Sequence, residues 1–248
     1  MPMARLEDIV AYCDQRLEAA TFDDYCPNGL QIEGRDQVAT IVSGVTASQA
    51  LISAAIDADA DLLLVHHGYF WRNEPAPLVG IKGRRIRALM NAGISLLAYH
   101  LPLDAHPELG NNRQLGLAMG FVDASPQDGL LWGVELARPM TAGDLAERVE
   151  GALGRPPLTV GPDAAVSRVA WCTGAAQGMI EQAAALGFDA FISGEISEQT
   201  VHLARELGVL FLSAGHHATE RYGVQALGNE LATRFDVAHR FIEITNPV

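Results

Sequence analysis

Buried-strand runs and helical patterns alternate along this chain, and no other feature restricts its fold as much. ATIVSGV is followed by SQALISAAIDA, DLLLVHH by a segment around RIRALMNAG, and that in turn by ISLLAYH. Short apolar runs that lack a period of two suit strands covered on both faces, and helices between them suit parallel strands joined by crossovers. One helical pattern, RLEDIVAYCDQRLEA, comes first. The rhythm breaks at the turn-rich DASPQDG and the hairpin-like LWGVELARPM. A helix follows over TAGDLAERVEGALG, with Thr141 as its N-cap and Gly154 and two prolines as its stop.

The rhythm then restarts. VSGVTASQALISAAIDADADLLLVHHG and VAWCTGAAQGMIEQAAALGFDAFISGE both read strand, helix, Asp-led strand, and a helix and a Gly-led strand follow each. Matching Asp61 to Asp189 and Gly93 to Gly208 sets His66-His67 opposite Gly194-Glu195, and His100 opposite Gly215. The expectation is an α/β fold of two related halves with mainly parallel strands. The first half covers residues 1–124 together with the C-terminal end of the chain, and the second covers 125–248. Polar residues close the matched strands at their carboxyl ends, where open α/β sheets bind ligands, so a site is expected at the interface of the halves.

Composition narrows the class of partner. With 17 basic and 30 acidic residues the formal charge is -13, which opposes a phosphate backbone, so duplex nucleic acid is not an expected partner; the charge leaves a small-molecule substrate, a nucleotide among them, open. No window supplies the roughly 20 apolar residues of a membrane span, and MPMARLEDIV carries acids where a secretion signal carries none, so a cytoplasmic protein is expected. Cys13, Cys26 and Cys172 are odd in number and widely spaced, the pattern of reduced thiols rather than a disulfide framework or a thiolate metal site.

Four of the eight histidines fall in two doublets, His66-His67 and His216-His217, each after an apolar strand. One doublet alone suits hydrogen-bonded strand ends as well as metal ligation. Two doublets with acids nearby favour ligation, since imidazole serves Zn, Fe and Ni, and carboxylates admit Mn. Gly68 and Gly215 would let the chain bend so that the ligands converge. Glu220 follows His216 by four residues, so a helix starting there sets both on one face. Asp104 lies just past the strand ending at His100. His66, His67, Asp104, His216 and Glu220 exceed the needs of one catalytic zinc and suit two divalent ions sharing carboxylates. Glu195 and His100 are the candidate proton carriers, or else the groups that orient a ligand. IKGRRIR is the concentrated basic stretch; Lys82, Arg84 and Arg85, with Arg87, are candidate contacts for an anionic substrate or a solvated helix start. His202 and His217 are read as structural.

DDYCPNGLQIEG, DLLLVHHGYFW, HLPLDAHPELGNN, GEISEQTVH, SAGHHATERYG and FIEITNP together resemble the NIF-three-like family, also called the GTP cyclohydrolase 1 type 2 family, in its short bacterial form. The resemblance runs nearly end to end. It implies two related α/β halves and a dinuclear metal site whose ligands correspond to His66, His67, Asp104, His216 and Glu220. It also implies ring-shaped homohexamers and metal-assisted hydrolysis of a nucleotide-like or cyclic amide substrate. The competing expectation is a metal-binding or interaction protein whose site is structural or sensory.

Overall fold

The computed structural model describes residues 3–248. The protein is a mixed α/β fold in two compact units. One unit runs through His106 and takes in Gly223–Thr245; the other holds Pro107–Tyr222 and Asn246–Val248.

In the first unit the five-stranded sheet has the order Ala238–Phe241, Thr40–Thr46, Leu62–His67, Ser95–Ala98, Gly29–Ile32. Its first four strands are mutually parallel and Gly29–Ile32 closes it antiparallel. Leu62, Leu63, Leu64 and Val65 are all fully buried, because this strand has neighbours on both edges and cover on both faces. That is why it reads as an uninterrupted apolar run. Helix Gln49–Asp57 begins at Ser48, whose hydroxyl accepts from Leu51 N, and Gly80–Ala92 ends at Gly93 in the left-handed region, φ 67°.

In the second unit the order is Ser125–Asp128, Leu131–Met140, Val166–Cys172, Ala190–Ser193, Leu210–Ser213, Leu158–Val160. Only the pairings among Val166–Cys172, Ala190–Ser193 and Leu210–Ser213 are parallel. The expectation of mainly parallel strands is therefore corrected: the five- and six-stranded sheets are both mixed, and Ala4–Arg5 pairs antiparallel with Gln37–Val38 in a separate two-stranded sheet. LWGVELARPM is one long strand paired with Ser125–Asp128, and the short strand after Pro156-Pro157 returns antiparallel along the opposite edge. Only Ser125–Asp128 and Leu131–Met140 are joined by a tight turn; the other antiparallel pairs bring together strands distant in the sequence, where crossover helices do not fix the direction. Thr141 caps helix Ala142–Leu153 in a reciprocal box with Asp144, and Gly154 stops it at φ 72°.

Asp61 and Asp189 make the same contacts in their own units. Asp61 Oδ2 accepts from Ala39 N and Thr40 N at 2.9 and 3.1 Å, and Asp189 Oδ2 accepts from Ser167 N and Arg168 N, both at 2.8 Å. Each aspartate also passes its carbonyl to the next strand, at Ser95 N and Leu210 N. Gly208 ends helix Glu198–Leu207 at φ 68°, as Gly93 ends its helix. Among the described residues no helix is long and apolar enough to cross a membrane, and the three cysteines are buried.

Candidate metal centre

In the first unit the strand Leu62–His67 delivers its last two residues to the carboxyl end of the sheet. His66 is fully buried and its Nδ1 lies 2.9 Å from the carbonyl oxygen of Tyr99. A carbonyl only accepts, so Nδ1 carries the proton and Nε2 presents its lone pair. That Nε2 stands 3.5 Å from Asp104 Oδ1. His67 Nδ1 lies 3.2 Å from the hydroxyl of Thr46, its register partner, and its ring centroid is 4.6 Å from that of His66. Gly68 serves this doublet through close packing, because a Cβ there would lie 2.8 Å from Ala98 Cβ, and it needs no left-handed backbone.

Asp104 sits on the short helix Leu101–Ala105, whose turn begins at His100 and brings the acid back four residues later. His100 belongs to the same cluster: its ring is 5.0 Å from His66 and 5.7 Å from His67. Asp24 holds it in place. His100 Nδ1 lies 2.7 Å from Asp24 Oδ1, Leu101 N donates to Oδ2 at 2.9 Å, and Asn28 both donates to Asp24 and accepts from His100 N. Burial alone would raise the Asp24 carboxyl, but the hydrogen bonds from His100 and Asn28 outweigh it and hold it at about 2. Asp24 also lines a cleft of about 540 Å³ with Tyr25, Asn28, Phe70 and Arg72.

Two groups of ligand-type atoms therefore lie within this unit, each within 4.8 Å: His66, His67 and His100; and Asp24, Cys26 and His100. In the second, burial, with Asp24 beside it, pushes the Cys26 thiol up to about 12.

In the second unit Leu210–Ser213 runs through Ala214 into Gly215, at φ 101°, and then into the four-residue helix His216–Thr219. The helix breaks at Glu220 before Arg221–Phe235 begins, yet His216 and Glu220 still meet, with Nε2 and Oε2 3.1 Å apart. His216 Nδ1 is 2.7 Å from Glu195 Oε1. Burial pulls the His216 imidazole down, but Glu220 and Glu195 on its two nitrogens overcome this and push it up to about 9. Gly174, at φ 69°, lies so close that a Cβ would overlap Glu220 Oε1 and come within 3.2 Å of His216 Nε2. The side chains thus converge against bare backbone.

This donor set fits divalent cations. In His66 and His216 the outer nitrogen is committed to a carbonyl or carboxylate, which fixes the tautomer and turns Nε2 toward a second carboxylate. A lone pair facing a carboxylate oxygen is favourable only with a proton or a cation between them.

Of the two histidines read as structural, His217 is buried and its backbone N donates to Val248 O, and His202 is exposed on helix Glu198–Leu207. Lys82 bonds Pro75 O, pairs with Glu74 at 3.5 Å and lies over the Phe70 ring, so it closes the loop ahead of its own helix. Arg84 and Arg87 are exposed on helix Gly80–Ala92 and Arg85 is half-buried. Asp24, Asn28 and Gly174 carried no assignment in the sequence. Asp24 and Asn28 sit in the quoted DDYCPNGLQIEG, but only the fold shows that this loop reaches His100.

The sequence model of the family described as Duf34/NIF3 (NGG1p interacting factor 3) matches residues 4–247. A protein of Allochromatium vinosum called "GTP cyclohydrolase 1 type 2 homolog" is 60% identical over 249 residues, covering 99% of this chain and 98% of its own. An Escherichia coli protein of the same description is 48% identical over 251 residues, with both chains covered in full. A solved structure described as "Structural genomics, protein ybgI, unknown function" superposes with a TM-score of 0.93 at 46% identity, covering 99% of this chain and all of the other. TTHA1606 from Thermus thermophilus superposes at 0.92 with 34% identity, again over 99% of this chain and all of the other.

Proposed function

The chain belongs to the Duf34/NIF3 family, and from that premise we propose that it is a hydrolase dependent on two divalent metal ions. His66, His67 and Asp104 from one unit and His216 and Glu220 from the other would hold the pair as one centre. One observation carries the reading: in each unit a histidine has Nδ1 bonded to an acceptor and Nε2 turned to a carboxylate, His66 toward Asp104 and His216 toward Glu220. The shared bonding of Asp61 and Asp189 supports a duplication, which would bring equivalent strand ends to a common site.

Divalent ions, when bound, make water nucleophilic near neutral pH and polarise the bond under attack. The chain's own residues supply the rest. Glu195 orients His216 and, being partly exposed, can exchange a proton with a leaving group. Asp24 holds the Nδ1 proton of His100, so its Nε2 is the atom that can accept one. The proposed substrate is a small nucleotide-like compound or a cyclic amide or imine, in keeping with the name carried by the relatives. The family description itself, naming an interacting factor, supports the alternative of a metal-binding protein without catalysis.

The decisive experiment reconstitutes the protein with Zn, Mn, Fe or Ni and screens it against nucleotides, phosphoesters and cyclic amides. A variant with the five ligands changed to alanine serves as control. Turnover that vanishes in that variant supports the hydrolase. A metal-replete wild type inert toward every class leaves the non-catalytic reading in its place.

A further inference from the structure

Arg155 packs its guanidinium against Gly215, the residue before His216, and its Nη1 has no hydrogen-bond partner among the described residues. It follows Gly154, which ends helix Ala142–Leu153 in the left-handed region, and precedes Pro156-Pro157 and the edge strand Leu158–Val160. That strand pairs antiparallel with Leu210–Ser213, Leu158 opposite Ser213. The ladder ends at that pair, where the chain turns through Gly215 into the helix that starts at His216. The guanidinium lies against Gly215: a Cβ on that glycine would be 2.5 Å from Nη1 and 3.0 Å from Cζ. Any side chain at 215 would push the arginine away, so the glycine serves both its own φ of 101° and this approach.

Arg155 Nη1 is buried and finds no hydrogen-bond partner among the described residues. In a chain with 30 acidic residues against 17 basic ones, an arginine with no carboxylate beside it is not explained by stability. A guanidinium cannot discharge by losing its proton, and a buried donor left unmatched is unfavourable until something occupies it. The backbone holds it ready, with a left-handed glycine before it and two prolines of fixed φ after it.

We propose that Arg155 anchors an oxyanion of the substrate, a phosphate or carboxylate, beside the His216–Glu220 ligand pair. Its planar fork suits two oxygens of such a group, and its charge offsets an otherwise acidic surround. This deepens the hydrolase reading and rests on it for the word substrate. The anion site itself is a separate claim, and it moves anion recognition to a residue outside the basic stretch at Lys82–Arg87.

The test titrates inorganic phosphate and, separately, acetate into wild type, Arg155→Gln and Arg155→Lys by calorimetry. Each protein is examined zinc-loaded and metal-free, with zinc content and thermal melting recorded. Arg155→Gln is expected to weaken binding of at least one anion by about 10-fold or more with zinc content and melting unchanged, and Arg155→Lys to fall between. The arm that responds tells phosphate from carboxylate. Equal anion affinity in wild type and Arg155→Gln overturns the proposal, as does a wild type that binds neither anion in either state. If Arg155→Gln will not fold, Arg155→Lys decides: unchanged affinity there overturns the proposal and weakened affinity upholds it. Failure of wild type to retain zinc removes the hydrolase reading instead, and the metal-free titrations still judge the anion site.

Discussion

Glu195 Oε1 meets His216 Nδ1 at 2.7 Å, on the side of the ring away from Glu220. The carboxylate fixes the ring's tautomer and makes Nε2 a better donor to a cation. Glu195→Gln keeps the shape and removes the charge. It is expected to weaken metal retention roughly 10- to 100-fold without lowering the melting temperature of the metal-free protein. Competition with a chromophoric chelator measures it, and an unchanged affinity would mean that Glu195 serves only proton transfer.

If the five proposed ligands are shared between two cations, the protein should hold two metals per chain at saturation. Elemental analysis of protein reconstituted in excess metal should find that ratio, and Asp104→Asn or Glu220→Gln should lower it. Saturation at one metal, with either acid dispensable, would sink the dinuclear centre.

The alternation of strands and helices was legible because each parallel strand is covered on both faces and reads as a continuous apolar run, as Leu62–Val65 does. Of the antiparallel edges the hairpin-like LWGVELARPM could be read, but Leu158–Val160 could not, since it is short and largely exposed and carries no period of its own. The histidine doublets and Glu220 announced themselves by residue type and spacing. Asp24 did not: it reaches His100 across 76 residues of sequence, and nothing local in DDYCPNG marks that contact. Arg155 was equally silent, because its place is set by the missing side chain of Gly215, 60 residues away in the sequence.

Asp24 gives the protein an acid limit. Its folded pKa of about 2 lies below the ordinary aspartate value of about 3.9, so it contributes stability above that value. That contribution is lost as pH falls from about 4 toward about 2. Asp24→Asn should therefore destabilise the protein near neutral pH, and the gap from wild type should narrow through this window. Urea melts at several pH values measure it; a gap that stays constant with pH would deny Asp24 the role.

A ring-shaped hexamer is expected from the family resemblance alone. Sedimentation velocity of the metal-loaded protein at micromolar concentration checks it, and a monomer throughout would withdraw it.

Gly174 tests whether the centre depends on bare backbone as well as on ligands. Its N donates to Thr219 Oγ1 at 3.0 Å and its carbonyl accepts from Gly194 N at 2.8 Å, so the residue is pinned from both sides and cannot retreat. At φ 69° an alanine pays a backbone penalty of roughly 1–2 kcal/mol, and its Cβ is driven into Glu220. Gly174→Ala should lower stability by at least that amount and should also displace the carboxylate, so that metal content falls further than stability alone explains. Gly151→Ala is the control. It lies inside helix Ala142–Leu153 with open space where the Cβ would go, so there the same substitution should stabilise by about 1 kcal/mol and leave metal content untouched. Thermal melts and elemental analysis of both variants separate the two effects. If Gly174→Ala binds metal as wild type does, Glu220 has room to move, and its place beside His216 owes nothing to the glycine.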